Sequence, residues 1–256
     1  MKLAHITDTH LLAEPAALYN GVDTHAALAA LLPTLVSDAW RPDLIVLTGD
    51  LADDGQPGTY ARIRVLLESI GLPVYCVPGN HDDRGAMRAA FSGEGRVKWE
   101  RVVRMGAWQI VMLDSLVPGE NRGHLEPVEL AALENALAAA PDLHTIVALH
   151  HGPGPVCPMP GCRLDNAEDF FAVAARHSNL RATISGHLHC ADDRGYRGTR
   201  HLVTPSTCFQ ATHPVGEPVA MDLPFLEKHS IDSSRRGWRR LELQEDGAIE
   251  TELVWM

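Results

Sequence analysis

Residues able to ligate metal ions stand directly after five short apolar runs of this chain. The runs at residues 5–7, 44–48, 74–77, 145–149 and 182–185 give way to Asp8-Thr9-His10, Gly49-Asp50, Gly79-Asn80-His81-Asp82, His150-His151 and Gly186-His187-Leu188-His189. Asp8, His10, Asp50, Asn80, His150, His187 and His189 offer more donors than one tetrahedral site can use, and the set suits two cations. Asp50 is the natural bridge, since one carboxylate can give an oxygen to each metal at the ~3.5–4 Å separation of two-metal sites. Only Asp8 and Asp50 are anionic, so two divalent cations would keep about two units of positive charge and attract a phosphate oxyanion. Water on such metals loses a proton near neutral pH, which makes hydrolysis of a phosphate ester by metal-bound hydroxide the expected chemistry. An alkoxide leaving group needs a proton. His81, beside Asn80, is the candidate general acid; Asp82 is expected to orient its imidazole, and Asn80 and His81 are expected to meet the substrate.

Taken singly, the simpler patterns have ordinary explanations: Asp-x-His at a strand end is commonly a cap or surface pair, and Gly-Asp is a common turn. Gly79-Asn80-His81-Asp82 and Gly186-His187-Leu188-His189 are rarer, and a loop after Gly186 can turn both imidazoles inward. What joins them is position. In open α/β sheets ligands bind beyond the carboxyl ends of the strands, so five such ends would converge on one place. His151 is expected near the site, whereas His5, His25, His124, His144, His177, His201, His213 and His229 have core, cap or surface contexts.

The elements that must hold these residues alternate. After the first strand, Asp23-Thr24 caps a helix running to about residue 39 and kinked at Pro33, which lacks a backbone N–H. The next strand follows, then a helix from Pro57 to about residue 70 closed by Gly71, then the strand at 74–77. Residues 97–104 and 107–113 read as antiparallel strands around Met105-Gly106, followed by a helix from Pro127 to about residue 140. A strand at 145–149, a helix at 167–177 and a strand at 181–185 resume the alternation. Strands at 238–243 and 248–254 hinge at Asp246-Gly247, a strong hairpin signal. Residues 210–236, with Pro214, Pro218 and Pro224, read as a long loop excursion. This order predicts two mixed sheets packed face to face and flanked by helices, in one domain over residues 1–256.

Composition narrows the partners. A net charge of −11 argues against a nucleic acid polymer gripped by a broad basic face, while a small phosphorylated substrate is compatible because bound metal supplies the local attraction. No stretch approaches the ~20 apolar residues that span a bilayer, so no membrane partner is expected. The N-terminus enters a strand without the apolar core of a secretory signal, and the expected location is the cytoplasm. Cys76, Cys157, Cys162, Cys190 and Cys208 include no CxxC pair and are expected as thiols rather than a disulfide framework or a zinc site.

The five blocks, including Gly49-Asp50-Leu51-Ala52-Asp53-Asp54, resemble in order and spacing those of the calcineurin-like metallophosphoesterases, over residues 1 to about 210. The resemblance implies a four-layer αββα sandwich. It implies two metal ions per chain, iron, manganese or zinc, with Asp8, His10, Asp50 and His189 holding one and Asp50, Asn80, His150 and His187 the other. Within that family, Tyr19-Asn20-Gly21-Val22-Asp23-Thr24 and Pro205-Ser206-Thr207-Cys208-Phe209-Gln210 resemble bacterial class III cyclic nucleotide phosphodiesterases, which hydrolyse 3',5'-cyclic AMP to 5'-AMP. A glycerophosphodiesterase branch shares every metal ligand, so a glycerophosphodiester or a broad range of diesters stays open as substrate. Members that act as non-catalytic scaffolds lose ligands, and none is missing here. Family members often form dimers or larger assemblies, which leaves a homo-oligomer open.

Overall fold

In the computed structural model, which describes residues 1–36, 39–155, 162–212 and 230–256, two six-stranded sheets lie face to face with helices on both outer sides. Along the chain run β1 (Lys2–Ile6), α1 (Thr24–Leu31), a 3-10 turn (Leu32–Val36), β2 (Leu44–Thr48), α2 (Pro57–Glu68), β3 (Val74–Val77), α3 (Arg84–Phe91) and β4 (Val97–Lys98). The second half opens with β5 (Val102–Met105), β6 (Trp108–Met112), α4 (Pro127–Ala139), β7 (His144–Ala148), α5 (Ala167–Ala174), β8 (Leu180–Ser185), β9 (Asp192–Tyr196) and β10 (Thr199–Val203). It closes with β11 (Gln210–Thr212), β12 (Ser230–Asp232), β13 (Gly237–Leu243) and β14 (Ile249–Trp255). The first sheet has the order β14-β13-β1-β2-β3-β4 and the second β5-β6-β7-β8-β10-β9. This is the four-layer αββα sandwich of two mixed sheets.

Side-chain alternation along the strands builds the layers. Ala4, Ile6, Ile45, Leu47, Val74 and Cys76 face outward onto Leu28, Leu31, Tyr60, Ile63, Leu67 and Met87 of α1, α2 and α3. Leu3, Leu44, Val46 and Val77 face inward, against Ile110, Met112, Ile146, Ala148 and Ile184 of the second sheet. The far face of that sheet, through Val111 and Val147, packs on Leu133, Leu137, Phe170 and Phe171 of α4 and α5. No helix among the described residues is long and apolar enough to cross a membrane.

Local signals act where they were read. Asp23 accepts the Ala26 N–H at 2.8 Å to cap α1, and at Pro33 the helix has already tightened to 3-10 geometry. Other elements differ. The strand expected over residues 97–104 is two strands in different sheets: β4 lies parallel to β3, whereas β5 is antiparallel to β6, and residues 99–101 carry the chain between them. A run of strand-forming residues carries no mark of which sheet will pair with each half. The structure adds α3, capped by Asp83 accepting from Ala86 N at 2.7 Å, and the β9–β10 hairpin, turning at Arg197 and Gly198 with φ of 49° and 77°. The excursion at 210–236 begins and ends as the paired strands β11 and β12; residues 213–229, with His213, Pro214, Pro218 and Pro224, lie outside the described residues, as does Cys157.

The C-terminal hairpin belongs to the body of the first sheet, because β13 lies antiparallel beside β1 with Leu3 opposite Leu241. Trp238 on β13 is fully buried, 5.7 Å from the Trp40 ring centroid. Trp238→Ala should lower stability by about 3–5 kcal/mol through the cavity it leaves. Val128→Ala, at a position 65% exposed, should change it by no more than ~0.5 kcal/mol. Chemical denaturation of the two variants checks the contrast; equal stabilities would mean the hairpin is peripheral.

Candidate metal centre

All five ligand-bearing segments meet at the carboxyl ends of β1, β2, β3, β7 and β8, along the seam where the two sheets face each other. Asp8, His10, Asp50, His150 and His189 are buried there, while Asn80, His81 and His187 are half-buried at its mouth. Ligating atoms of Asp8, His10 and His189 lie within 4.8 Å of one another, as do those of Asp8, Asp50 and His150, and of His150, His151 and His187. Asp50 Oδ2 stands between the two halves, 3.6 Å from His10 Nε2 and 3.2 Å from His150 Nε2. Asn80 Oδ1 is 3.1 Å from the same His150 nitrogen.

The backbone reaches this arrangement through a conformation that side chains resist. Asp8, His10, Asp50, His187 and His189 all have positive φ, between 44° and 72°, a region seldom occupied by residues other than glycine. Each left-handed residue turns a strand end so that its side chain points into the seam. Glycine makes the approach possible: a Cβ on Gly186 would collide with Thr7 Oγ1 and the Asp8 carboxylate, and one on Gly79 with the Asp50 carboxylate.

Backbone groups fix the imidazoles. His150 Nδ1 is 2.7 Å from the Thr48 carbonyl and His189 Nδ1 is 3.2 Å from that of Phe209. Each ring therefore uses Nδ1 on a carbonyl and turns Nε2 toward the centre. His10 Nε2 and His189 Nε2 face each other at 3.1 Å, close enough for both to turn a lone pair toward one cation. Burial, reinforced by the neighbouring His150, drives His187 down to about 3, and burial with His10 nearby holds His189 well below its usual value, so both are neutral donors. Burial also raises Asp8 to about 6; Asp50 is instead held well below the carboxylate range, because His150, His81 and His10 overcome the effect of its burial. Imidazoles packed this closely around two carboxylates form a His/Asp cluster suited to a binuclear metal site.

One expected partner is corrected. Asp82 does not orient His81: its carboxylate accepts from Leu51 N and Ala52 N at 3.1 and 3.0 Å, Gly79 N at 2.9 Å and the Tyr60 hydroxyl at 2.9 Å. It ties the loop after β2 to the loop after β3, since its chain position beside the turn leaves it facing free N–H groups. Asp53 does the orienting, with Oδ1 2.9 Å from His81 Nδ1 and 3.1 Å from His10 Nδ1. Burial disfavours a charge on His81, but the Asp53 hydrogen bond and the Asp50 carboxylate outweigh it and push that imidazole up to about 9. Asp53 stands three residues after Asp50, yet nothing in that spacing shows which histidines it meets. Tyr19 was also unassigned by chemistry; its ring stacks on His10 at 4.5 Å, presented by the tight turn through Asn20 and Gly21. His151 does sit beside the cluster, its Nδ1 2.9 Å from Ser115 Oγ and its ring 4.5 Å from that of His187.

A match to the calcineurin-like phosphoesterase signature runs over residues 1–191. The chain belongs to that family. It is 36% identical to the 3',5'-cyclic adenosine monophosphate phosphodiesterase CpdA of Escherichia coli (strain K12), covering 99% of this chain and 89% of that one. It is 37% identical to the cAMP/cGMP dual specificity phosphodiesterase MT0825 of Mycobacterium tuberculosis over 81% of this chain and 67% of that protein. A dimetal phosphatase from Danio rerio superposes with a TM-score of 0.64 at 13% identity, covering 99% and 98% of the two chains, which is a likeness of fold. As a metallophosphoesterase, the protein is a hydrolase of this family.

The two aspartates should separate by experiment. Asp82→Ala strands several buried N–H groups and should cost roughly 3 kcal/mol or more of stability. Asp53→Ala should leave the melting temperature nearly unchanged and lower hydrolysis of an aryl phosphodiester by about 10- to 100-fold, the range for a residue that orients ligands. Melting curves and rates that do not separate in this way would contradict the division of roles.

Proposed function

We propose that the protein is a binuclear metal-dependent phosphodiesterase that hydrolyses 3',5'-cyclic AMP to 5'-AMP. The substrate rests on one observation: 36% identity to a cyclic AMP phosphodiesterase with nearly all of both chains covered. The reaction class rests on the buried cluster and its half-exposed rim. Asp8, His10, Asp50 and His189 would hold one cation, and Asp50, Asn80, His150 and His187 the other, with Asp50 shared. When bound, two such cations neutralise phosphate charge and lower the pKa of water beside the phosphorus.

The remaining steps fall to the chain's own groups. Asn80 and His81, at the mouth, would receive the phosphate as it enters from solvent. Water adds to phosphorus while the bond to the ribose 3' oxygen breaks, and that oxygen needs a proton as it leaves. His81 would give it: with Asp53 holding Nδ1, Nε2 would be the atom that carries and releases the proton. Asp53 also contacts His10, so orientation of the acid and of a ligand is set by one carboxylate.

Metal-replete protein should contain about two ions per chain by elemental analysis, and Asp50→Asn should disturb metal content and activity more than Asn80→Ala, because Asp50 serves both positions. Against cyclic AMP, glycerophosphoethanolamine and a chromogenic aryl phosphodiester, cyclic AMP should give the highest kcat/KM among the natural esters. Activity on the aryl diester with none on cyclic AMP would reject the substrate, and no hydrolysis at full metal occupancy would favour a scaffold.

His81→Ala should keep its metals and lose roughly 10²- to 10⁴-fold in turnover of cyclic AMP. A nitrophenolate leaves without a proton, so the aryl diester should lose much less. Equal losses on both would assign His81 to phosphate positioning, and loss of a metal would make it a ligand.

A further inference from the structure

The carboxyl end of β6, in the parallel part of the second sheet, supplies no candidate ligand. Beyond β6 the chain reaches Asp114, whose side chain is only 9% exposed and whose backbone N–H donates to Glu129 Oε2 at 3.0 Å. Asp114 holds the guanidinium of Arg84 side-on: Nε reaches Oδ2 at 2.5 Å and Nη2 reaches Oδ1 at 3.0 Å. Nη2 also donates to the Leu116 carbonyl at 2.8 Å, so two edges of the plane are fixed. Arg84 comes three residues after His81, on the first turn of α3, and its side chain remains 36% exposed.

The exposed part looks onto an open cleft of about 500 Å³ whose walls include Asn80, His81, Arg84, Leu116 and Pro118. That volume lies in the range of small-molecule sites. The cleft adjoins the rim where the phosphate would enter, so it is the space beside the reacting group. Two features decide what part of a substrate it suits. The Asp114 carboxylate compensates the charge of Arg84, and Asp54 and Asp83 stand in the same wall, so a second anionic group is disfavoured there. A locked guanidinium plane, by contrast, is a ready surface for a flat heterocycle, with Nη1 left unspent among the described residues as a donor to a ring nitrogen.

We propose that Arg84 is a specificity-determining residue, held flat by Asp114, that receives the nucleobase of the cyclic nucleotide in this cleft. This inference rests on the cyclic nucleotide reading and adds the group that distinguishes a nucleotide from a base-free diester. Ordering costs little on binding, since the ion pair has already fixed the side chain.

Metal-loaded wild type, Arg84→Gln and Arg84→Lys, assayed on 3',5'-cyclic AMP and on a base-free 3',5'-cyclic ribose phosphate, test it. Both variants should raise KM for cyclic AMP about tenfold or more, as loss of a stacking contact does, with kcat within about twofold. KM for the base-free ester should stay at the wild-type value. Equal loss on both esters would make Arg84 a phosphate contact or a purely structural residue and overturn the proposal. Restoration by Arg84→Lys would also overturn it, because an ammonium supplies charge without a plane. Wild type that cleaves an aryl diester but not cyclic AMP would sink the functional reading itself, whereas active wild type with an unchanged KM in Arg84→Gln would sink only this inference.

Discussion

Left-handed backbone at five candidate ligand positions is the constraint on which the cluster depends. Asp8, His10, Asp50, His187 and His189 each hold a φ that costs of order 1–3 kcal/mol for a side-chain-bearing residue. Such a cost persists only where the surroundings over-determine the conformation. Here they do: Asp8 N donates to Gly49 O, His10 N to Asp50 O, and His187 N to the Asp8 carboxylate. The strained turns hold one another, and relaxing one would release its neighbour.

The same interlocking explains why carboxylates outside the cluster matter as much as those within it. Asp82 joins the turns after β2 and β3 from below, through backbone N–H groups, and so keeps Asp50 and Asn80 in register. Asp53 acts on side chains, reaching His10 and His81 with one oxygen. Asp114 repeats the device further out by pinning Arg84 at the cleft wall. Three aspartates thus fix, in turn, backbone, imidazole and guanidinium.

Much of this was legible from residue patterns. The αββα layering follows from strands whose alternate faces are both apolar, as in Leu44 to Leu47, where Leu44 and Val46 enter the core between the sheets and Ile45 and Leu47 the helix layer. The seven candidate ligands come together at one seam because each follows an apolar run, and parallel strands deliver their carboxyl ends to one edge. Where expectations failed, the deciding contact was distant in sequence. Residues 97–104 divided between sheets because β3 and β6 claimed different halves. Asp82 lost its imagined partner because Leu51 and Tyr60, far along the chain, offered it better donors.

By itself, then, the sequence determined the candidate donors, the strand-end placement and the family, since each is written in local periodicity and residue type. Only the tertiary structure decided which carboxylate faces which imidazole, that Tyr19 covers His10, and that Arg84 is locked flat beside the rim. Those are pairings across loops, whose geometry depends on φ values and on contacts tens of residues apart. A residue's identity states what it can bond; only the packing of separate turns against one another states to whom.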